Sequence, residues 1–289
     1  MIEITKQFVK ENMPNRPMDA NKGTMGTLLN ISGSYSMAGA CILSSMSALK
    51  SGVGLVKVAL PKSIYPIVAS QVYEAVFVPF GDANKMSVSA SEIDYLLSIA
   101  NLSNATLLGC GLSLVDDTVE FVRDFVLAYT GALLLDADGI NALALNIDVL
   151  KDTKAQVVLT PHAKEMARLI KKDVSYVLNN REQVAVDFAK EYSVTVVLKG
   201  KDTIVTDGNK VYVNKTGNAG MAKGGSGDVL SGIIASLMAQ GKDPLVSACM
   251  GVYIHGLCGD IAAKNLSQSA MLPRDIVDYL PQAFLNIEN

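Results

Sequence analysis

Short runs of consecutive apolar residues punctuate the chain, separated by stretches with helical periodicity, small residues or turn residues. Thr106 to Gly109 and Ala132 to Leu135 are continuous apolar runs, the pattern of strands buried on both faces, and the segment Asp116 to Tyr129 between them predicts a helix. Gln156 to Thr160 and Val194 to Leu198 repeat the rhythm around a helix over Ser175 to Lys190. Upstream, Thr27 to Ser32 reads as a strand that turns at Gly33-Ser34 into a helix of small residues over Met37 to Leu49. Leu55 to Leu60 and Glu74 to Val78 are further strands, with Lys62 to Ser70 helical between them. Thr203 to Thr206 and Lys210 to Val213 flank Asp207-Gly208-Asn209, a hairpin signal. The remainder reads as helices over Ser226 to Ala239, Pro244 to Asn265 and Arg274 to Phe284. Residues 1–20, broken by Pro14 and Pro17, read as an arm with one short helix over Thr5 to Glu11. This alternation predicts a single α/β domain over residues 1–289: a three-layer αβα sandwich with a mostly parallel central sheet and a short antiparallel hairpin.

Composition narrows the class of function. A chain of 289 residues buries a core without disulfides or metals. The net charge of −3, without a Lys/Arg run, argues against nucleic-acid binding, so phosphate contacts are expected to be local. Cys41, Cys110, Cys249 and Cys258 show no CxxC spacing and read as buried structural thiols of a reducing compartment. The N-terminus has no apolar h-region, and no apolar run is read as long enough to cross a bilayer, so the expectation is a soluble, cytoplasmic protein. Gly23 to Leu49 carries no charge, but its Ser, Gly, Thr and Asn content suits a closely packed ligand wall.

Ligands of open α/β sheets bind beyond the carboxyl ends of strands. Here those ends carry Gly33-Ser34, Gly109-Cys110-Gly111-Leu112, Asp136-Ala137-Asp138-Gly139, Thr160-Pro161-His162 and Lys199-Gly200-Lys201-Asp202. Gly224-Gly225-Ser226-Gly227-Asp228 then opens an apolar helix. Amides of Gly225, Ser226 and Gly227 at a helix N-terminus suit an anion hole for a phosphoryl group, whereas a carboxylate beside them would repel it. Asp228 is therefore a candidate base that takes a proton from an attacking hydroxyl, although the same residues would also serve an ordinary helix start. Neither GxxxxGK[ST] nor a complete GxGxxG after a strand occurs. His162 and Glu165 fall on one side of a helix start, where they suit a cap; with Mg²⁺ and phosphates nearby, Glu165 could hold a metal-bound water. Asp136 and Asp138 are read as ending a strand and capping a helix, and His255 as a core or interface histidine. Lys199 and Lys201 around Gly200 suit nucleotide phosphates or plain solvation.

Taken in order, several of these motifs resemble the ADP- or ATP-dependent NAD(P)H-hydrate dehydratases, which have the ribokinase-like fold. The resemblance runs over roughly residues 14–270 through Lys22-Gly23 with Gly26, Gly33-Ser34 with Gly39-Ala40, and Gly109-Cys110-Gly111-Leu112. It continues through Asp136 to Leu143, Thr160-Pro161-His162 with Glu165, Lys199 to Thr203, and Asn218 to Gly232. The resemblance implies that Asp228 is the catalytic base and contacts the hydrated nicotinamide, with Ala40, Gly111 and His162 lining the same site. It implies that Lys199, Gly200, Lys201, Asp202, Thr203 and Gly227 hold the adenine nucleotide, and that Glu165 matches the acidic position associated with Mg²⁺. Members with this layout often use ADP and often form homotetramers. The epimerase domain that precedes some members is expected to be absent, since only a short arm precedes Lys22. Two positions depart from the pattern: Asn21, where a histidine is common, and Ser113, where a glycine commonly ends the turn. At this stage a vitamin-precursor or sugar kinase of the same fold, and a non-catalytic nucleotide sensor, remain alternatives.

Overall fold

A computed structural model describes residues 1–289 and arranges them around one ten-stranded sheet. In chain order the strands are β1 (Ile2–Glu3), β2 (Thr27–Ile31), β3 (Leu55–Pro61), β4 (Val76–Phe80) and β5 (Ala105–Leu108). They continue with β6 (Ala132–Leu135), β7 (Gln156–Leu159), β8 (Thr195–Leu198), β9 (Thr203–Thr206) and β10 (Val211–Asn214). Across the sheet the order is β1-β10-β9-β8-β7-β6-β5-β2-β3-β4. Only β9 runs against its neighbours, as the hairpin signal predicted; the other pairings are parallel.

Successive residues of the central strands feed opposite apolar layers. Leu134, Val158 and Val197 face one layer, while Leu133, Leu135, Leu159, Val196 and Leu198 face the other. Helices Ala38–Lys50, Ser226–Ala239 and Pro244–Leu266 cover the first face; Asp116–Ala128, Ala163–Leu169 and Arg181–Tyr192 cover the second. Burial on both faces is why these strands read as continuous apolar runs instead of alternating ones. On the first face the helices meet through small residues. A Cβ on Gly232 would lie 2.0 Å from Ser47 Oγ and 2.2 Å from the Ser44 carbonyl oxygen, and one on Gly251 would lie 2.3 Å from Ile234 Cγ1.

Several elements differ from the sequence expectation. The arm begins inside the sheet, because Ile2 and Glu3 pair with Tyr212 and Val213, and two residues are too few to show a period. The helix expected over Ser175 to Lys190 is two, Val174–Asn179 and Arg181–Tyr192, broken at Asn180 where the backbone leaves helical geometry (φ −130°, ψ 34°). Helix Ile93–Ala100 has no counterpart in the expectation, although the Ser89/Glu92 capping box of the 3-10 turn Ala90–Glu92 that leads into it is written in the sequence. Pro244–Leu266 is long and apolar enough by length and composition to cross a bilayer, contrary to the expectation that no run reaches that length. Its apolarity has another cause: 78% of its most apolar window is buried inside the fold.

Strand order reverses between β5 and β2, which opens a crevice at the carboxyl ends of the parallel strands. There Gly33 N–H donates to the Cys110 carbonyl at 2.8 Å and ties together the loops that follow β2 and β5. The helix beneath the crevice depends on the Gly232 contact for its position. Gly232→Ala is expected to lose roughly 1–3 kcal/mol through overpacking against backbone, measured by urea unfolding. An unchanged midpoint would show that the two helices can separate freely.

Candidate active site

The loops beyond β5, β6, β7 and β8 deliver their side chains to one buried centre, Asp136. Its Oδ1 accepts from Lys199 Nζ at 2.8 Å and Thr160 Oγ1 at 2.7 Å, and its Oδ2 accepts from Ser231 Oγ at 2.8 Å. Sequence reasoning assigned Asp136 to a strand end; the structure places it 1% exposed at the middle of the site, because β6 ends beneath the helix carrying Ser231. Burial alone would raise its affinity for a proton, but Lys199 and the hydroxyl donors overrule that and hold it ionised, below its ordinary value. Gly109 lets the chain pass: its φ is +134°, and a Cβ would strike the Asp136 carbonyl oxygen at 2.0 Å. Asp138 lies in the first turn of helix Asp138–Leu143 and accepts from the Ser113 N–H at 2.8 Å. That bond steadies Ser113 in the left-handed region (φ +75°), where a glycine would sit without strain. Asn21, the other departure, accepts N–H bonds from Gly23 and Thr24 and shapes only its own turn.

Gly225 has φ +99° and opens helix Ser226–Ala239. Within the chain no hydrogen bond engages the amides of Gly225, Gly227 or Asp228, whereas the Ser226 amide donates to the Lys223 carbonyl at 3.2 Å. The Ser226 hydroxyl faces inward, 3.4 Å from buried His255 Nε2. Ser226 therefore supports the cradle from below. Burial lowers His255 to about 4, so it is neutral there.

A Cβ on Gly227 would lie 3.3 Å from Lys199 Nζ and 3.7 Å from Asp136 Oδ2, which joins the cradle to the charged centre. Asp228 Oδ, Asp136 Oδ and Cys110 Sγ lie within 4.8 Å of one another. Lys199 already places its ammonium on Asp136, so the trio is a coupled charge cluster and no metal cage. Burial first, and then the Asp136 charge, raise Asp228 from 3.8 to about 6.

His162 and Glu165 form a reciprocal cap of helix Ala163–Leu169: Nδ1 accepts the amides of Lys164 and Glu165, while Glu165 Oε2 accepts the His162 amide at 2.8 Å. Burial raises Glu165 to about 7 even though Lys199 Nζ lies 3.9 Å away. His162 is half-exposed and held below its ordinary value by burial and by Lys199. Ala40 lies against Gly111, whose hypothetical Cβ would be 2.8 Å from the Ala40 methyl, so both sit on the wall made by helix Ala38–Lys50.

The loop Lys199 to Asp202 splits in purpose. Lys199 turns inward to Asp136, while Lys201 stays exposed and Asp202 pairs with Lys215 at 3.0 Å. Arg181, which no motif announced, clamps the loop backbone by donating to the carbonyls of Leu198, Lys201 and Asp202. The sequence carried no signal for it, since the helix expected over Ser175 to Lys190 places Arg181 in its interior; the structure starts a new helix there. At the opposite ends of β7 and β8 a cavity of about 510 Å³ opens beside Gln156, Thr195 and Asp243, away from all of these groups.

A carboxyl raised from 3.8 to about 6 binds its proton more tightly in the native state than in the unfolded chain, so stability falls as pH rises through that window. Asp228→Asn removes this penalty. The variant is expected to gain on the order of 3 kcal/mol above pH 7, with the gain vanishing below about pH 4, in unfolding curves taken across pH. A gain independent of pH would contradict the assigned burial of the carboxylate.

Comparison with known proteins fits this geometry. Residues 28–282 match the family described as NAD(P)H-hydrate dehydratase. A bifunctional NAD(P)H-hydrate repair enzyme of Moorella thermoacetica is 37% identical over 99% of this chain, and the chain spans about half, 54%, of that relative's length. An ADP-dependent (S)-NAD(P)H-hydrate dehydratase of Cenarchaeum symbiosum is 32% identical over 96% of this chain and 95% of its own. The crystal structure of the ADP/ATP-dependent NAD(P)H-hydrate dehydratase of Bacillus subtilis, co-crystallised with ATP/Mg²⁺, aligns with a TM-score of 0.85 at 26% identity, covering 99% of each chain. A ribokinase-like superfamily protein of Enterococcus faecalis aligns equally well, with a TM-score of 0.85 at 26% identity over 100% of this chain and 97% of its own. The sheet is thus ribokinase-like, and the chain belongs to the NAD(P)H-hydrate dehydratase family.

Proposed function

We propose that the protein restores NADH and NADPH from their hydrates, using ADP or ATP as phosphoryl donor. The hydrate carries a hydroxyl on ring carbon 6, and hydroxide is a poor leaving group. Asp228 takes the hydroxyl proton as the oxygen attacks the terminal phosphoryl group, whose departing bond leaves AMP or ADP behind. Unengaged amides of Gly225 and Gly227 stabilise charge on the phosphoryl oxygens, with Lys199 beside them. The resulting ester expels phosphate under push from the ring nitrogen lone pair; the adjacent ring carbon then gives up a proton, and the dihydronicotinamide is restored. The oxygen of the lost water leaves in phosphate.

The observation that carries this assignment is Asp228 itself: a carboxyl raised to about 6 at the mouth of a cradle whose free amides suit an anion. Mg²⁺ fits only as a water-bridged neighbour of Glu165, since Oε2 is used as a helix cap and Oε1 faces only His162 Nε2 at 3.4 Å. When bound it would supply charge neutralisation for the phosphates. Ala40, Gly111 and His162 are proposed to line the hydrate site, and Gly200 to Thr203 with Gly227 to hold the nucleotide.

Purified protein incubated with acid-generated NADH hydrate, Mg²⁺ and either nucleotide is expected to regain NADH absorbance with release of one phosphate. A stable phosphorylated product would instead make it a kinase, and no turnover would remove the assignment. Asp228→Ala is expected to lower turnover by roughly 10² to 10⁴, and the acid limb of the wild-type pH–rate profile is expected near the Asp228 value of about 6. Arg181→Ala, which frees the nucleotide loop, is expected to raise the nucleotide KM by roughly tenfold with little change in kcat, read from initial rates.

A further inference from the structure

The cradle stands on a weak piece of chain. Gly224 and Gly225 are consecutive glycines ahead of helix Ser226–Ala239, and glycine constrains its backbone less than any other residue. Gly224 makes no hydrogen bond through its amide or its carbonyl, and outside its chain neighbours nothing lies within 4 Å of the place a Cβ would take. Its support therefore comes from the residues beside it. The Ser226 amide closes a turn on the Lys223 carbonyl at 3.2 Å, and Gly225, the third residue of that turn, has the positive φ of +99° that a type II turn needs there.

Lys223 is the first corner of the turn and the one with a long side chain. Its Nζ donates to the carbonyls of Ser269 at 2.7 Å and Met271 at 2.5 Å, 46 and 48 residues further along. A lysine ordinarily leaves its ammonium in water; here two of its three donors engage the main chain. The acceptors belong to a fixed segment. The Met271 amide donates to the Ser267 carbonyl at 3.2 Å, and Met271 is buried, with its Sδ 2.7 Å from where a Cβ on Gly220 would be. Pro273 then opens helix Pro273–Asp278, and its Cγ would lie 3.3 Å from a Cβ on Gly225. Both neighbours of Gly224 thus rest on one stretch, Met271 to Pro273, and Gly224 spans the gap.

We propose that Lys223 is a positioning residue: by donating to the Ser269 and Met271 carbonyls it fixes the turn Lys223 to Ser226, and so aims the Gly225 and Gly227 amides at the transferring phosphoryl group. The role rests on the phosphoryl transfer proposed above, in which those amides stabilise developing charge. Amides act on a transition state to the extent that they are held in place beforehand. When their support loosens, reorganisation accompanies each transfer, and the loss falls on kcat. The nucleotide KM moves less, because the loop Lys199 to Thr203 grips the bound ground state.

Lys223→Met keeps most of the apolar stem and removes all three donors. Hydrogen–deuterium exchange on peptides covering residues 217–228 and 264–273 reads the tether without turnover, through the bonded amides of Ser226 and Met271. The variant is expected to take up deuterium faster in both segments, with the urea midpoint and the uptake elsewhere as in the wild type. In initial rates with NADH hydrate, kcat is expected to fall roughly tenfold while the nucleotide KM stays within about threefold. Unchanged uptake in the two segments overturns the proposal. So does a loss confined to KM, which would mark a lysine that attracts phosphate by charge alone. A lowered urea midpoint with faster uptake throughout, or a variant that does not fold, also overturns it, because the tether would then hold the fold and not the cradle. Failure of the wild type to dehydrate NADH hydrate would sink the functional assignment, and the exchange comparison would still decide whether Lys223 holds the turn.

Discussion

The buried pair of Asp136 and Lys199, 2.8 Å apart, is the interaction on which the site depends. Two charges are withdrawn from water there, which is tolerable only because each is paired and because Thr160 and Ser231 fill the remaining acceptor positions of Asp136. The partners come from β6, the ends of β7 and β8, and helix Ser226–Ala239, so one carboxylate registers two layers of the sandwich against each other. Its consequence reaches Asp228. With Lys199 holding Asp136 ionised, a second carboxylate a few ångströms away, the proposed base, cannot ionise as easily. Burial is the larger cause of that elevation, and the Asp136 charge adds to it.

What could be read in the sequence were features that repeat or break a local rule. The buried strands declared themselves as apolar runs, and the glycines at Gly109, Gly111 and Gly225 marked places where the backbone takes positive φ or passes within contact distance of another chain segment. Asp228 stood out as a candidate because an acid beside a glycine-rich helix start demanded a reason. Asp136 was not, because an aspartate after a strand has a bland use as a helix start and its real partners are 24, 63 and 95 residues away. The same holds for Arg181, 20 residues before the carbonyl of Lys201 that it binds. Long-range polar contacts leave no period in the chain.

Length and composition of one helix would on their own suggest a membrane span. Helix Pro244–Leu266 has the length and apolarity of a membrane span because neighbours surround it, with Gly251 against Ile234 and Gly259 against Met221. Its small residues belong to a helix that touches other helices on several sides, and a helix hydrophobic all round is what such burial requires. His255 on that helix meets the Ser226 hydroxyl at 3.4 Å. Through Ser226 the core helix bears on the cradle, so packing in the first apolar layer and the aim of the Gly225 and Gly227 amides are one mechanical problem.

For the proposed base, an Asp228 value near 6 would reconcile two opposing demands. A base must be ionised to accept a proton, yet a weakly basic carboxylate, solvated and near its ordinary value, draws a hydroxyl proton feebly. With the carboxyl at about 6, roughly ten molecules in eleven are ionised at pH 7, while the proton affinity exceeds that of a free aspartate by about two orders of magnitude. Moving Asp136 away would remove part of that elevation, and flooding the site with water would remove the larger part, which comes from burial. Removing Lys199 would let Asp136 compete for the same proton. The geometry therefore tolerates little freedom around Asp228, which is why glycines, a buried thiol and a fixed lysine crowd it from three separate loops.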